Sequence, residues 1–245
     1  MKQHLFFDLD DTLVHCTKYF NHTLEHFAVE MAEWFKEENI SPEEIKEKQV
    51  ELDLIGVQKH GFLKERFPQS LAETYQHFCS RTDRPILNEH VQHLMNLGMQ
   101  VYEQNYEPYP NMEETLNELM RDGHRLYLYT GGVPEVQNIK IEQLELRRFF
   151  EDRIFIVQHK NLSALETILQ QQRLDKQHVW MIGNSARTDI LPALKAGLHA
   201  IHVKREEEWE YNVVDINHSP QGAYYETKAI SEIPTLIRKY VLGTS

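Results

Sequence analysis

The sequence lacks three features that would assign it to a specialised class of protein. Its only cysteines, Cys16 and Cys79, cannot form a disulfide framework and indicate a reducing compartment. No apolar run approaches the ~18 residues of a membrane helix, and the N-terminus has no signal-peptide pattern, so we expect a cytoplasmic protein. Cations are also few, with 26 Lys and Arg against 38 Asp and Glu and a net charge of −12. That balance argues against nucleic-acid polymers and membranes as partners.

What is present is a chain of 245 residues with the composition of an ordinary globular protein. Short apolar runs, typical of strands buried on both faces, alternate with helical patterns from about residue 111 onward. This alternation predicts βαβ units and an α/β fold with a parallel sheet. The predicted strands are Leu5–Phe7, Leu126–Tyr129, Ile154–Val157, Val179–Ile182 and Ala200–Val203.

A second pattern fills residues 17–106, where apolar residues recur every three or four positions without a strand pattern. Ser41 before Pro42 and Glu44 is typical of a capped helix start. We therefore expect an all-helical domain inserted after the first strand. The predicted domains are a core of residues 1–16 and 107–245 and a helical insert of residues 17–106. Residues 206–226 show no periodicity, which predicts a loop before a final helix.

Three carboxylates follow the first predicted strand directly. Asp8, Asp10 and Asp11 lie within four residues, and their mutual repulsion calls for a cation or for hydrogen-bond donors. In open α/β sheets, ligands bind beyond the carboxyl ends of the strands, which is where this cluster lies. The alternative interpretation is an acidic loop that stays in water and caps a helical turn.

Other predicted strands end in groups that could bind an anion or a hard cation. Thr130 and Gly131 end the second strand with a hydroxyl and an accessible backbone N–H. Lys160 follows the third strand, and Asn184 and Asp189 follow the fourth with oxygen ligands. Because parallel strands end at one edge of the sheet, we expect these groups to form one site with the carboxylates.

These residues resemble the four motifs of the haloacid dehalogenase-like (HAD) hydrolase superfamily. The Asp-x-Asp-x-Thr motif lies at residues 8–12, and Thr130, Lys160 and the segment 183–189 follow in the family's order. The resemblance implies a Rossmann-like core with a helical cap of the kind called class one. One difference is that the fourth motif usually opens Gly-Asp, whereas Asn184 stands here and contributes no charge.

The resemblance implies a Mg²⁺-dependent phosphatase that acts on a small phosphorylated metabolite. Asp8 would be the nucleophile that forms an aspartyl-phosphate, and Asp10 the general acid and base. Because the family's dehalogenases lack the second Asp, Asp10 favours a phosphate ester over a haloacid. Thr130, Gly131 and Lys160 would bind the phosphate, and Asp8, Asp10, Asn184 and Asp189 would hold Mg²⁺.

Three points stay open at this stage. The same nucleophile could serve a phosphomutase or phosphotransferase, or the chain could be a non-catalytic phosphate-binding regulatory module. In the insert, Lys59, His60 and Arg66 could read the leaving group of the substrate, or could belong to a solvated loop. We expect a monomer or homodimer whose partner is a small molecule.

Overall fold

The computed structural model describes residues 1–243 and divides into two compact units. One unit contains residues 1–17 and the chain from Tyr106 onward, and the other is Lys18–Asn105. Each boundary lies one residue from the predicted boundary. The last two residues of the predicted core, 244 and 245, lie outside the described residues.

The first unit is built on a six-stranded sheet in which every pair of neighbouring strands is parallel. The strand order is β3-β2-β1-β4-β5-β6, so β1 lies near the middle with β2 and β4 beside it. This confirms the predicted α/β class with a Rossmann-like core. The strands are β1 His4–Phe7, β2 Arg125–Gly131, β3 Ile154–Val157, β4 Val179–Gly183, β5 His199–Val203 and β6 Tyr224–Thr227.

The sixth strand corrects the expectation of a loop over residues 206–226. Strand β6 lies at the edge of the sheet and pairs with β5. Its residues Tyr224–Thr227 are mostly half-buried or exposed, so they form no continuous apolar run that periodicity could detect. The rest of the segment has little regular structure, apart from a short 3₁₀ turn at Glu210–Asn212.

Helices fill the second unit and flank the strands of the first. Helices α1 to α4 are Thr17–Trp34, Pro42–His60, Arg66–Arg81 and Asn88–Met99, and α5 to α10 are Met112–Arg121, Pro134–Gln143, Arg147–Phe150, Leu162–Gln171, Leu191–Lys195 and Ile233–Gly243. Among residues 1–243, no helix is long and apolar enough to cross a membrane.

The helical unit has its own apolar core, which includes Phe27, Met31, Leu71 and Phe78. Helix α2 begins as its sequence predicts, because the Ser41 hydroxyl accepts a hydrogen bond from the Glu44 amide at 3.2 Å. That pattern also favours a reciprocal bond from the Glu44 side chain, but this carboxylate pairs instead with Arg81 of α3. The contact between Glu44 and Arg81 therefore links α2 to α3, and the Glu44 side chain does not cap the start of α2.

Candidate active site

Asp8 lies one residue beyond β1, and the sheet fixes its backbone. Its amide donates to the carbonyl of Ile182 at 2.9 Å, which extends the pairing of β1 with β4. Asp8 as a whole residue is only 6% exposed. Lys160 Nζ donates to Oδ1 at 2.6 Å and Thr12 Oγ1 donates to Oδ2 at 3.0 Å. Burial raises the pKa of Asp8 to about 7, while the Lys160 ammonium opposes that rise.

The loop after β1 turns tightly and directs the third carboxylate away from the others. Asp11 has a left-handed backbone with φ of 55°, and its side chain accepts bonds from the amides of Cys16 and Thr17 at 2.9 and 3.1 Å. It also accepts a bond from the Thr17 hydroxyl at the start of α1. Asp11 therefore caps that helix, and the predicted cluster of three acids is reduced to Asp8 and Asp10.

Asp10 is held by two residues of α6. Lys140 Nζ lies 2.6 Å from Asp10 Oδ1, and Gln137 Nε2 donates to Oδ2 at 3.0 Å. The same Gln137 amide donates to Thr130 Oγ1 at 2.6 Å. The Asp10 side chain is 28% exposed, so it remains open to a reactant.

The ends of β2 and β3 bring the expected anion-binding groups together. Thr130 is buried near the end of β2, beside Gly131. A Cβ atom on Gly131 would lie 3.4 Å from the Lys160 stem, an ordinary van der Waals distance, so the two residues are neighbours at this edge of the sheet. Burial lowers the pKa of Lys160, but Asp189 and Asp8 together raise it above its ordinary value. Lys160 is therefore a buried permanent cation that pairs with both carboxylates.

The end of β4 supplies the remaining predicted residues. Asp189 Oδ2 accepts a bond from the Ser185 amide at 3.0 Å. A Cβ atom on Gly183 would lie 2.2 Å from this same oxygen, so glycine is required for the close approach. Asn184 Oδ1 lies 3.3 Å from Thr12 Oγ1, and its carbonyl is 2.9 Å from His202 Nε2. The loop is thus fixed from both sides.

The side-chain oxygens of Asp8 and Asn184 surround the Thr12 hydroxyl and are the groups best placed to bind a hard cation. Within residues 1–243, no three His, Cys, Asp or Glu side chains are grouped to hold a metal. This follows from the chemistry of the motif, because Asn184 is not a carboxylate and Asp189 is engaged by Lys160 and Ser185. A cation here would depend on one carboxylate together with neutral oxygens.

Arg205 supports the loop after β1, although no sequence pattern indicated it. Its Nε and Nη2 atoms donate to the carbonyls of Asp11 and Thr12 at 2.6 and 2.8 Å. Its guanidinium lies 3.5 Å from the centroid of the Tyr109 ring. Arg205 follows β5, in a segment with no periodicity, and its role appears only once the sheet is assembled.

The three residues predicted to read the leaving group, Lys59, His60 and Arg66, differ in their surroundings. Lys59 and His60 are exposed at the end of α2. Arg66 is buried at the start of α3, where it pairs with Glu73 and packs against Gly56 of α2. The Arg66 guanidinium is therefore engaged within the helical unit, and a role of Arg66 in reading the substrate stays a prediction.

Sequence periodicity also missed Gln137 and Lys140. Ile139 of α6 is 37% exposed, and the buried face of this helix contains Gln137 and Lys140 between Val136 and Ile141. An apolar pattern cannot reveal a buried polar pair. The position of Gln137 and Lys140 in the sequence could have indicated them, because both lie on the helix that begins soon after Thr130.

Known proteins resemble this chain in sequence and in fold. Residues 2–197 match the haloacid dehalogenase-like hydrolase family. The glyceraldehyde 3-phosphate phosphatase of Methanothermobacter thermautotrophicus is 27% identical over 163 residues, which are 63% of this chain and 72% of that protein.

Two solved structures have a similar fold. A haloacid dehalogenase-like family hydrolase from Xanthomonas campestris matches with a TM-score of 0.79 and 22% identity, over 97% of this chain and 91% of that one. A HAD hydrolase from Bacillus subtilis bound to magnesium has a TM-score of 0.65 and 16% identity, over 96% of this chain and 98% of that one.

Proposed function

Because this chain belongs to the haloacid dehalogenase-like hydrolase family, we propose that it is a phosphatase that hydrolyses monoesters of small phosphorylated metabolites. The observation that carries the proposal is the pair Asp8 and Asp10, one buried and fixed, the other partly open. The similarity to a known phosphatase supports the same reaction class. The two free cysteines also suit a cytoplasmic enzyme.

In the proposed first step, an Asp8 carboxylate oxygen attacks phosphorus and the ester P–O bond breaks. The leaving oxygen takes a proton from the carboxyl group of Asp10. In the second step, water attacks the phosphorus of the aspartyl-phosphate, its proton passes to Asp10, and Asp8 is released as a carboxylate. Both residues return to their starting states, and one difficult displacement is divided into two easier ones.

Thr130, Gly131 and Lys160 are the proposed phosphate-binding groups. Thr130 Oγ1 accepts a bond from Gln137, so the hydroxyl can direct its own hydrogen to a phosphate oxygen. Lys160 Nζ carries three hydrogens, and its contacts with Asp8 and Asp189 leave one for the substrate. Lys160 can therefore bind phosphate without leaving its partners, which favours a preorganised site.

We propose Mg²⁺ as the cofactor, held by the Asp8 carboxylate, the Asn184 amide oxygen and the main-chain carbonyl of Asp10. These are all oxygen donors, and the first two already converge on one hydroxyl. When bound, the ion would offset the repulsion between the nucleophile and an anionic ester. Asp189 would contribute indirectly, since its oxygens contact Lys160 and Ser185.

A non-catalytic phosphate-binding module is the second candidate, and Asn184 is the observation that favours it. An amide in place of a carboxylate lowers the negative charge available to a metal. However, a pure binding protein has no need of Asp10 as a proton donor, and two buried side chains hold that residue in place. The phosphatase therefore remains the better explanation.

The test is phosphate release from a panel of phosphorylated metabolites with Mg²⁺, comparing the wild type with Asp8→Asn. We expect the variant to keep its fold by circular dichroism and to lose turnover. We also expect a phosphorylated peptide containing Asp8 when the wild type is acid-quenched. A variant with a near wild-type rate would refute the assignment, whereas an isomeric ester instead of free phosphate would indicate a mutase.

A further inference from the structure

Helix α6 buries two polar side chains against the site. Gln137 is 2% exposed and Lys140 is 3% exposed, and both contact Asp10 through different oxygens. They are three residues apart, so they lie on neighbouring positions of one helix face. A buried cation and a buried amide are costly unless they are paired, so this arrangement requires an explanation beyond packing.

The surroundings of Lys140 show which partner holds it. Its ammonium lies 2.6 Å from Asp10 Oδ1, 3.6 Å from Cys16 Sγ and 5.0 Å from the centroid of the Tyr106 ring. Asp10 is the carboxylate paired with this ammonium, and the other two neighbours are a thiol and an aromatic face.

Gln137 connects the proposed proton donor to the phosphate-binding hydroxyl. Its amide nitrogen carries two hydrogens, and its acceptors are Asp10 Oδ2 at 3.0 Å and Thr130 Oγ1 at 2.6 Å. Each Asp10 oxygen thus accepts one bond from α6 and keeps a lone pair for a reactant. The plane of the Asp10 carboxyl group is therefore fixed relative to Thr130, the residue that would bind the phosphate group of the ester.

We propose that Lys140 and Gln137 are positioning residues for proton transfer, holding Asp10 so that it meets the leaving oxygen of the ester. The proposal rests on the phosphatase function proposed above. Lys140 and Gln137 each hold one oxygen of Asp10, which fixes the direction in which its carboxyl group faces. This alignment would assist the first step most when the leaving group needs a proton.

Two aryl esters of nearly the same shape test this idea. The p-nitrophenolate ion leaves without protonation, whereas phenolate is a poorer leaving group and depends more on Asp10. We compare kcat/KM, which reports the steps up to formation of the aspartyl-phosphate, for p-nitrophenyl phosphate and phenyl phosphate. For Lys140→Met, we expect kcat/KM to fall by about 10²-fold on phenyl phosphate, within the range of general acid catalysis, and only a few-fold on p-nitrophenyl phosphate.

A second variant and a structural control keep the test independent of folding. Gln137→Leu keeps a similar volume and should shift the ratio of the two kcat/KM values in the same direction. Ile141→Ala removes buried apolar volume from the same helix without touching Asp10, so it should lower Tm and leave the ratio unchanged.

The possible outcomes separate this proposal from the one it rests on. If Lys140→Met and Gln137→Leu lower kcat/KM by one common factor for both esters, the positioning role is overturned while the phosphatase assignment stands. If the wild type hydrolyses neither ester nor any metabolite of the panel, the phosphatase function itself fails. A selective loss on phenyl phosphate in either variant supports the inference.

Discussion

The substitution Lys160→Met would leave two buried carboxylates without their shared cation. Lys160 contacts Asp8 and Asp189, and all three side chains are nearly inaccessible to water. Methionine fills a similar volume, so the substitution removes charge with little change in packing. The variant therefore measures how far the site depends on this one ammonium.

The expected loss of folding stability in Lys160→Met follows from the burial of Lys160 and its carboxylate partners. Removing one partner of a buried ion pair costs about 3–5 kcal/mol, because the remaining charge stays desolvated. In a protein of this size, each kcal/mol corresponds to about 2–4 °C in Tm, so we expect Tm to fall by about 6–20 °C. The matched control is Lys176→Met, whose partner Glu166 lies 3.5 Å away on the exposed surface. An exposed pair of this kind contributes at most about 1 kcal/mol.

The stability lost in Lys160→Met should depend on pH, and the raised pKa of Asp8 determines the direction of that dependence. Its pKa is about 7 in the folded protein although Lys160 lowers it, so removing Lys160 raises the folded value further above the unfolded one. A carboxyl with a raised pKa binds its proton more tightly in the folded state. Folding stability therefore falls as pH rises from the unfolded pKa, about 4, through the folded value.

Thermal unfolding in a chelating buffer, at about pH 5 and about pH 8, measures both effects. We expect the deficit of Lys160→Met to be large at the higher pH and smaller at the lower one, where the Asp8 carboxyl is protonated. A variant as stable as the wild type at about pH 8 would refute the view that Lys160 compensates the buried acids. A deficit equal at both pH values would show that lost packing, rather than charge, is responsible.

Two further predictions concern the loops around the site. Arg205→Met removes two hydrogen bonds to the carbonyls of Asp11 and Thr12, so we expect urea unfolding to show a loss of about 1–3 kcal/mol. Its kcat should fall more than its KM changes, and unchanged stability and kcat would contradict a supporting role. Asn184→Asp adds a carboxylate beside Asp8, so we expect Mg²⁺ to bind about tenfold more tightly, or ~1.4 kcal/mol. The measurement is the rise in Tm during a Mg²⁺ titration, and an identical response in the wild type and the variant would count against the proposed ligand set.

The main features of the site could be predicted because few rules determine them. Apolar runs indicate buried strands, parallel strands end at one edge of the sheet, and polar residues that follow those strands must therefore lie near each other. Asp8 and Lys160 are 152 positions apart, yet their side-chain atoms lie 2.6 Å apart. The fold class followed from the same alternation of apolar runs and helical patterns.

The features that escaped prediction depend on tertiary contacts without a local pattern. Asp11 belongs to the same acidic run as Asp8, but a left-handed backbone turns it toward the start of α1. Arg66 is a cation of the kind that can bind an anionic ligand, but in the structure it pairs with Glu73 within the helical unit. Lys140 is a cation on the buried face of α6, where it lies beside the apolar residue Ile141. In each case a partner distant in the fold or a backbone turn decides the role.

The net charge of the side chains at the site bears on the Mg²⁺ proposed above. Asp8, Asp10 and Asp189 face two ammonium groups, Lys140 and Lys160, so these five side chains sum to a net negative charge when all are ionised. An anionic ester that approaches them meets repulsion that the lysines alone do not offset, in a chain whose overall charge is −12. A bound divalent ion would reverse the local sign, and Asn184, as a neutral ligand, would leave more of that positive charge for the phosphate. The amide would thus weaken metal binding while strengthening the attraction between the bound ion and the substrate.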